Sequence, residues 1–149
     1  MTKPATGIEA IATSCIAGRL RLLNRVVTNL YDDAFRPFGV RLSQGNVLAV
    51  TAKLGVARPA QVCDLLELDT STLSRTVDRM VANGWLEIVP DDDGRSQPFR
   101  LTAEGRRLME RALPAWEQAQ AEAKKLLGDD GLRLLDATIG RVKAAHAGA

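Results

Sequence analysis

The segment between Arg58 and Thr102 leaves this chain few folds to choose from. Pro59–Leu66 places Val62, Leu65 and Leu66 on one helical face. After three residues, Thr70–Val81 begins a second helix. Its apolar stripe of Leu73, Val77, Met80 and Val81 falls at i, i+4, i+7 and i+8. Asp69 or Thr70 supplies an N-cap, and Gly84 is suited to end the helix after Asn83. Trp85–Val89 and Gln97–Leu101 then read as strands around the turn cluster Pro90-Asp91-Asp92-Asp93-Gly94. The spacing predicts a helix-turn-helix followed by a two-stranded wing. The polar face of the second helix carries Ser71, Thr72, Ser74, Arg75 and Arg79. These are short donors, acceptors and guanidinium forks of the kind that read a groove edge in DNA.

Helices flank this segment on both sides. A first helix is expected from about Ile8 to Arg36, with Ile16, Leu20, Leu23, Val27, Leu30 and Ala34 on one stripe. Ile11, Cys15, Leu22 and Val26 form a second stripe beside it, and Pro37 and Gly39 end the helix. Ser43 is read as the N-cap of a helix through Leu54 that buries Val47, Leu48, Val50 and Leu54. Thr102 caps a helix through about Leu127, with Leu108, Ala112 and Leu113 apolar and Pro114 expected to kink it. Gly128-Asp129-Asp130-Gly131 breaks the chain before a last helix bearing Leu132, Leu135, Ile139 and Val142. The first and last helices are apolar beyond what a small winged domain can cover. A two-fold dimer built from both chain ends is the economical expectation.

Charge narrows the function classes. The net charge is +2, but residues 58–101 carry five Lys/Arg against eight Asp/Glu. A net acidic reading segment argues against strong non-specific DNA binding, while specific binding depends only on the face that makes contact. No apolar run approaches the roughly 20 residues that span a bilayer. Ala12-Thr13-Ser14-Cys15 loosely resembles a lipoprotein cleavage site, but Glu9 interrupts the upstream apolar stretch. No signal segment is expected, and the location is read as cytoplasmic. Two cysteines and one histidine, His146, have no metal-site spacing, so neither metal nor cofactor is expected. No nucleophile–base pair suggests an enzyme.

Several motifs resemble the MarR family of bacterial transcriptional regulators. They are Val62-Cys63-Asp64-Leu65-Leu66-Glu67-Leu68-Asp69, Ser71-Thr72-Leu73-Ser74-Arg75, Asp93-Gly94-Arg95-Ser96 and Arg100-Leu101-Thr102-Ala103-Glu104-Gly105. The likeness extends to Tyr31–Val40 and to Ala112–Gln120, so it spans nearly the whole chain. It implies an obligate dimer that reads DNA with recognition helix and wing, usually as a repressor relieved by a small ligand or an oxidant. The wing departs from the pattern. Ile88 and Val89 stand where basic residues are usual, and Pro98 sits in the second strand, where proline belongs on an unpaired edge. Both argue against strong wing–phosphate contact.

Within that frame Arg95 is the leading candidate for minor-groove insertion, with Asp93 holding its side chain in one direction. Ser71, Thr72, Ser74 and Arg75 are candidates for base edges, Arg79 for a phosphate, and Arg58 and Arg100 for secondary backbone contacts. Cys63 is read as core packing. Cys15 is read as structural, with a redox role through a thiolate favoured by Arg19 as its rival. Trp116 is expected to pack, or else to line a ligand cavity. Tyr31 and Arg19 are polar handles for an anionic aromatic effector.

The reading is a mainly α winged helix-turn-helix protein. Residues 1–38 and 103–149 form its helical dimerisation region and 39–102 its DNA-binding part. The expected function is that of a homodimeric repressor released from a palindromic operator by a small molecule. Two alternatives stay open: a redox-responsive regulator using Cys15, and a winged-helix interaction module without DNA binding.

Overall fold

The computed structural model describes residues 7–92 and 94–148. The elements in order are α1 (Ile8–Ser14), α2 (Ile16–Phe35), a 3-10 turn (Arg36–Phe38), α3 (Leu42–Leu54), β1 (Val56–Ala57) and α4 (Pro59–Leu66). There follow α5 (Thr70–Ala82), β2 (Leu86–Ile88), β3 (Phe99–Leu101) and α6 (Ala103–Ala147). The chain divides into a central unit, residues 34–117, and a terminal unit of residues 1–33 and 118–149. No helix of the described residues is long and apolar enough to cross a membrane.

The central unit is a winged helix built on a small, dense core. Val47, Leu48, Val62, Leu73, Met80, Leu86 and Phe99 are all at most 2% exposed. The buried Thr51 is satisfied within its own helix, where its Oγ1 donates to the Val47 carbonyl at 2.7 Å. Gly55, at φ 73°, ends α3 and turns the chain into β1. Glu67 closes α4 in the left-handed conformation, at φ 51°, and makes the turn into α5.

The sheet has one strand more than the wing predicts. Its order is β1-β3-β2, all antiparallel, with Val56 opposite Arg100 and Glu87 also opposite Arg100. Both strands of the wing are shorter than expected, but the ladder continues past β2, where Val89 N–H donates to the Pro98 carbonyl at 2.8 Å. Pro98 thus contributes the group it has, a carbonyl, and lies just outside the paired residues of β3. Its missing N–H costs the ladder nothing.

At its root the wing is fixed to α6. Thr102 Oγ1 accepts from Gly105 N–H at 3.0 Å as the helix cap and donates to the Gly84 carbonyl at 2.5 Å. Gly105 lies so near β2 that an added Cβ would stand 2.1 Å from the Trp85 carbonyl oxygen. Only glycine fits there.

Several local expectations are corrected. The first helix is interrupted at Cys15, whose extended dihedrals head a new helix and whose carbonyl accepts from Arg19 N–H. Arg41 rather than Ser43 is the N-cap of α3, and Gln44 Oε1 accepts its amide at 3.0 Å. Leu65 is 60% exposed, so α4 buries Val62 and half-buries Leu66 instead; Val81 and Leu113 also face outward. Helical dihedrals continue through Pro114. The kink in α6 falls instead at Gly128, at φ 67° and ψ 170°, where the sequence places the break between its last two helices.

The terminal unit contrasts with the central one. Tyr31 is buried, and its hydroxyl donates to Gln120 Oε1, tying α2 to α6 beside the buried Ala119 and Ala123. Burial raises the Tyr31 pKa, so the phenol keeps its proton. The apolar stripes of both ends remain exposed within one chain, including Ile16, Leu20, Leu22, Leu135 and Ile139.

Candidate nucleic-acid interface

Helix α5 presents the reading face because its other face is spent on the core. Leu73, Val77 and Met80 are buried, which leaves Ser71, Ser74, Arg75 and Arg79 exposed and Thr72 half-buried. The helix starts at Asp69, whose carboxylate organises the first turn. It accepts from Ser71 Oγ, Thr72 Oγ1 and Thr72 N–H, each at 2.7 Å. Those bonds, the Ser71 hydroxyl's above all, hold the Asp69 carboxyl far below the usual carboxylate range, and Arg75 adds a smaller favourable charge. The ionised cap suits the positive end of the helix. It also takes the hydroxyl protons of Ser71 and Thr72, which leaves their oxygen lone pairs as acceptors.

The wing stands beside this helix across an open groove of about 610 Å³. Arg58, Thr70, Ser74, Asp78, Arg95 and Gln97 are among its lining residues. Arg95 is exposed next to Gly94, whose φ of 60° forms the turn. Asp93, expected to orient Arg95, lies outside the described residues. The two arginines expected to make secondary backbone contacts, Arg58 and Arg100, are engaged within the protein. Arg58 Nη1 donates to Asp91 Oδ2 at 3.0 Å, and Arg100 Nε donates to Glu87 Oε1 at 2.6 Å across the sheet. Asp91 is a residue that sequence reasoning passed over as turn filler. Its partner lies 33 residues away, and no local pattern signals the pairing.

A second cavity, about 240 Å³, lies elsewhere in the central unit between α3 and the first turns of α6. Phe35, Val40, Leu48, Met109, Leu113 and Trp116 are prominent in its wall, Asn46 contributes the polar side chain, and no lining residue is charged. Trp116 is therefore a cavity residue. Tyr31 and Arg19 are not part of that lining. They lie on α2 in the terminal unit, twelve residues or about 18 Å apart along the helix. Both thiols are free, Cys15 exposed and Cys63 half-buried. Among the described residues no group of three His, Cys, Asp or Glu is placed to hold a metal.

A helix seated in a core by one face and polar on the other, entered by a tight turn and flanked by a two-stranded wing, defines a winged helix-turn-helix DNA-binding protein. The MarR family model matches residues 38–96, the segment that forms this arrangement. Over that segment the chain resembles the winged-helix transcriptional regulators of the MarR family. It is 25% identical over 132 residues to the HTH-type transcriptional regulator PecS of Dickeya dadantii, covering 86% of this chain and 80% of PecS. Among solved structures it is similar to the M. tuberculosis regulator MosR in complex with DNA. There the identity is 28% and the TM-score 0.77, over 89% of this chain and 98% of MosR. A MarR variant from E. coli complexed with operator DNA shares the fold at 21% identity and a TM-score of 0.80, over 92% of this chain and 99% of that one.

Proposed function

We propose that the protein is a cytoplasmic homodimeric repressor that binds a palindromic operator and leaves it when a small aromatic molecule enters the chain. The observation that carries this reading is the joint exposure of Ser74, Arg75 and Arg79 on α5 and of Arg95 on the wing, with Ser74 and Arg95 lining one groove. Arg75, near the start of the helix, is suited to a guanine edge, and Arg79, one turn on, to a phosphate. Arg95 is suited to a narrow minor groove. The exposed stripes of the terminal unit support the dimer, since each needs a cover that one chain does not supply.

The 240 Å³ cavity supports the effector. It has room for a small aromatic ring, and its uncharged wall favours the apolar body of such a molecule. An anionic group on the effector would lie at the cavity mouth and not against a buried cation. The test of the whole reading is a footprint on the DNA upstream of the protein's own gene. Protection should be symmetric, with half-sites centred roughly 10 or 20 base pairs apart. Protection of a single asymmetric half-site would refute it.

A further inference from the structure

The Arg58–Asp91 pair joins two elements whose relative position decides what the wing can touch. Arg58 is the N-cap of α4, and its backbone is fixed there. Its N–H donates to Gln61 Oε1 at 3.2 Å, and its carbonyl accepts from Val62 N–H at 3.2 Å. Asp91 lies in the loop beyond β2, three residues after Ile88, where its carbonyl accepts from Gly94 N–H at 3.3 Å. The ion pair therefore runs from a rigid helix end to the tight turn beside Arg95. Its two side chains are unequally exposed, Arg58 at 53% and Asp91 at 18%, so the carboxylate is the well-shielded partner.

We infer that Arg58 and Asp91 form a strut that sets the position of the wing, so that Arg58 serves DNA binding through Asp91 and not by touching phosphate. A guanidinium already bonded to a carboxylate adds little net charge to the field that attracts DNA. For Arg58 to reach a phosphate, it would first have to leave a charge-assisted bond and strand a shielded carboxylate. A partly exposed pair contributes little to folding, so natural selection for stability is a weak reason for it. Its effect falls on the wing. Without the strut the loop samples more conformations, and DNA must order them at the moment of binding.

This inference rests on the DNA-binding reading, and the test keeps the two separable. The full-length protein carries Arg58→Ala, Asp91→Asn, or both, and is assayed on a duplex from the region upstream of its own gene. Amide hydrogen exchange of residues 89–98 is followed without DNA. The strut predicts that each single variant loses roughly three- to tenfold in affinity and that the double variant is no worse than either single. The salt dependence of binding should not change, and exchange in the loop should quicken in all three. Tighter binding by Asp91→Asn would overturn it, because a mere repelling charge would have been removed. So would an Arg58→Ala variant whose salt slope falls by about one while loop exchange stays as in the parent, the mark of a direct phosphate contact. A parent that binds no DNA defeats the functional reading, and the exchange measurement still decides the strut.

Discussion

The central and terminal units use similar apolar residues to opposite effect. In residues 34–117 the leucines and valines of the inward faces meet partners from other elements, and Leu48 and Leu73 are each 1% exposed. In the terminal unit Leu20 is 61% exposed and Leu135 45%, although the sequence there is equally periodic. Periodicity reports which face of a helix wants cover. It does not report whether that cover comes from the same chain.

The sharpest way to break this contrast is to charge the terminal stripe. In the proposed dimer, Leu20→Asp combined with Leu23→Asp should raise the dissociation constant at least about a thousandfold, because each added carboxylate would be buried unpaired at the proposed interface. Sedimentation velocity reads the result, and an undisturbed dimer would mean that the stripe faces solvent. The next largest effect belongs to the central unit. Leu73→Ala should cost about 3 kcal/mol in denaturant unfolding, whereas Leu113→Ala, at a half-exposed position, should cost under about 1 kcal/mol. Equal losses would show that Leu113 is buried in the working assembly. A smaller effect divides the reading face itself. Arg75→Ala should lose about 1–3 kcal/mol of binding energy and relax preference at one base position per half-site, while Arg79→Ala should weaken all sequences alike and reduce the salt slope. If both variants gave the same sequence-independent loss, the division into base and phosphate contacts would be wrong.

The legible parts of the molecule are those fixed by nearby residues. Helix α5 was readable because its stripe, its Asp69 cap and its Gly84 exit all lie within sixteen residues. The face of α4 was half readable. A stretch of eight residues cannot tell from spacing alone that Leu65 points away while Val62 points in. The break at Cys15 left no proline or glycine at the break itself to mark it. Strand β1 is two residues long, too short for any alternation, and exists because β3 arrives to pair with it from more than forty residues away. Of the interface, the recognition-helix residues followed from the helical period. The engagement of Arg58 and Arg100 with carboxylates did not, because both bonds are made by the tertiary fold.

The close approach of Gly105 to Trp85 makes the wing a cantilever. Its root is clamped where Thr102 bridges Gly84 and Gly105, with no slack for even a methyl group. Its free length begins only beyond Val89 and Pro98, whose hydrogen bond is the last rung of the ladder. A beam held in that way does not swing from its base. A rotation of the first turn of α6 drags the root of β2 with it, and the displacement grows along the wing until the Arg58–Asp91 bond, near Arg95, resists it. Small torsions at the helix start therefore reach the outer wing as a load on that bond, and a residue that merely packs at the root governs how hard it is pulled.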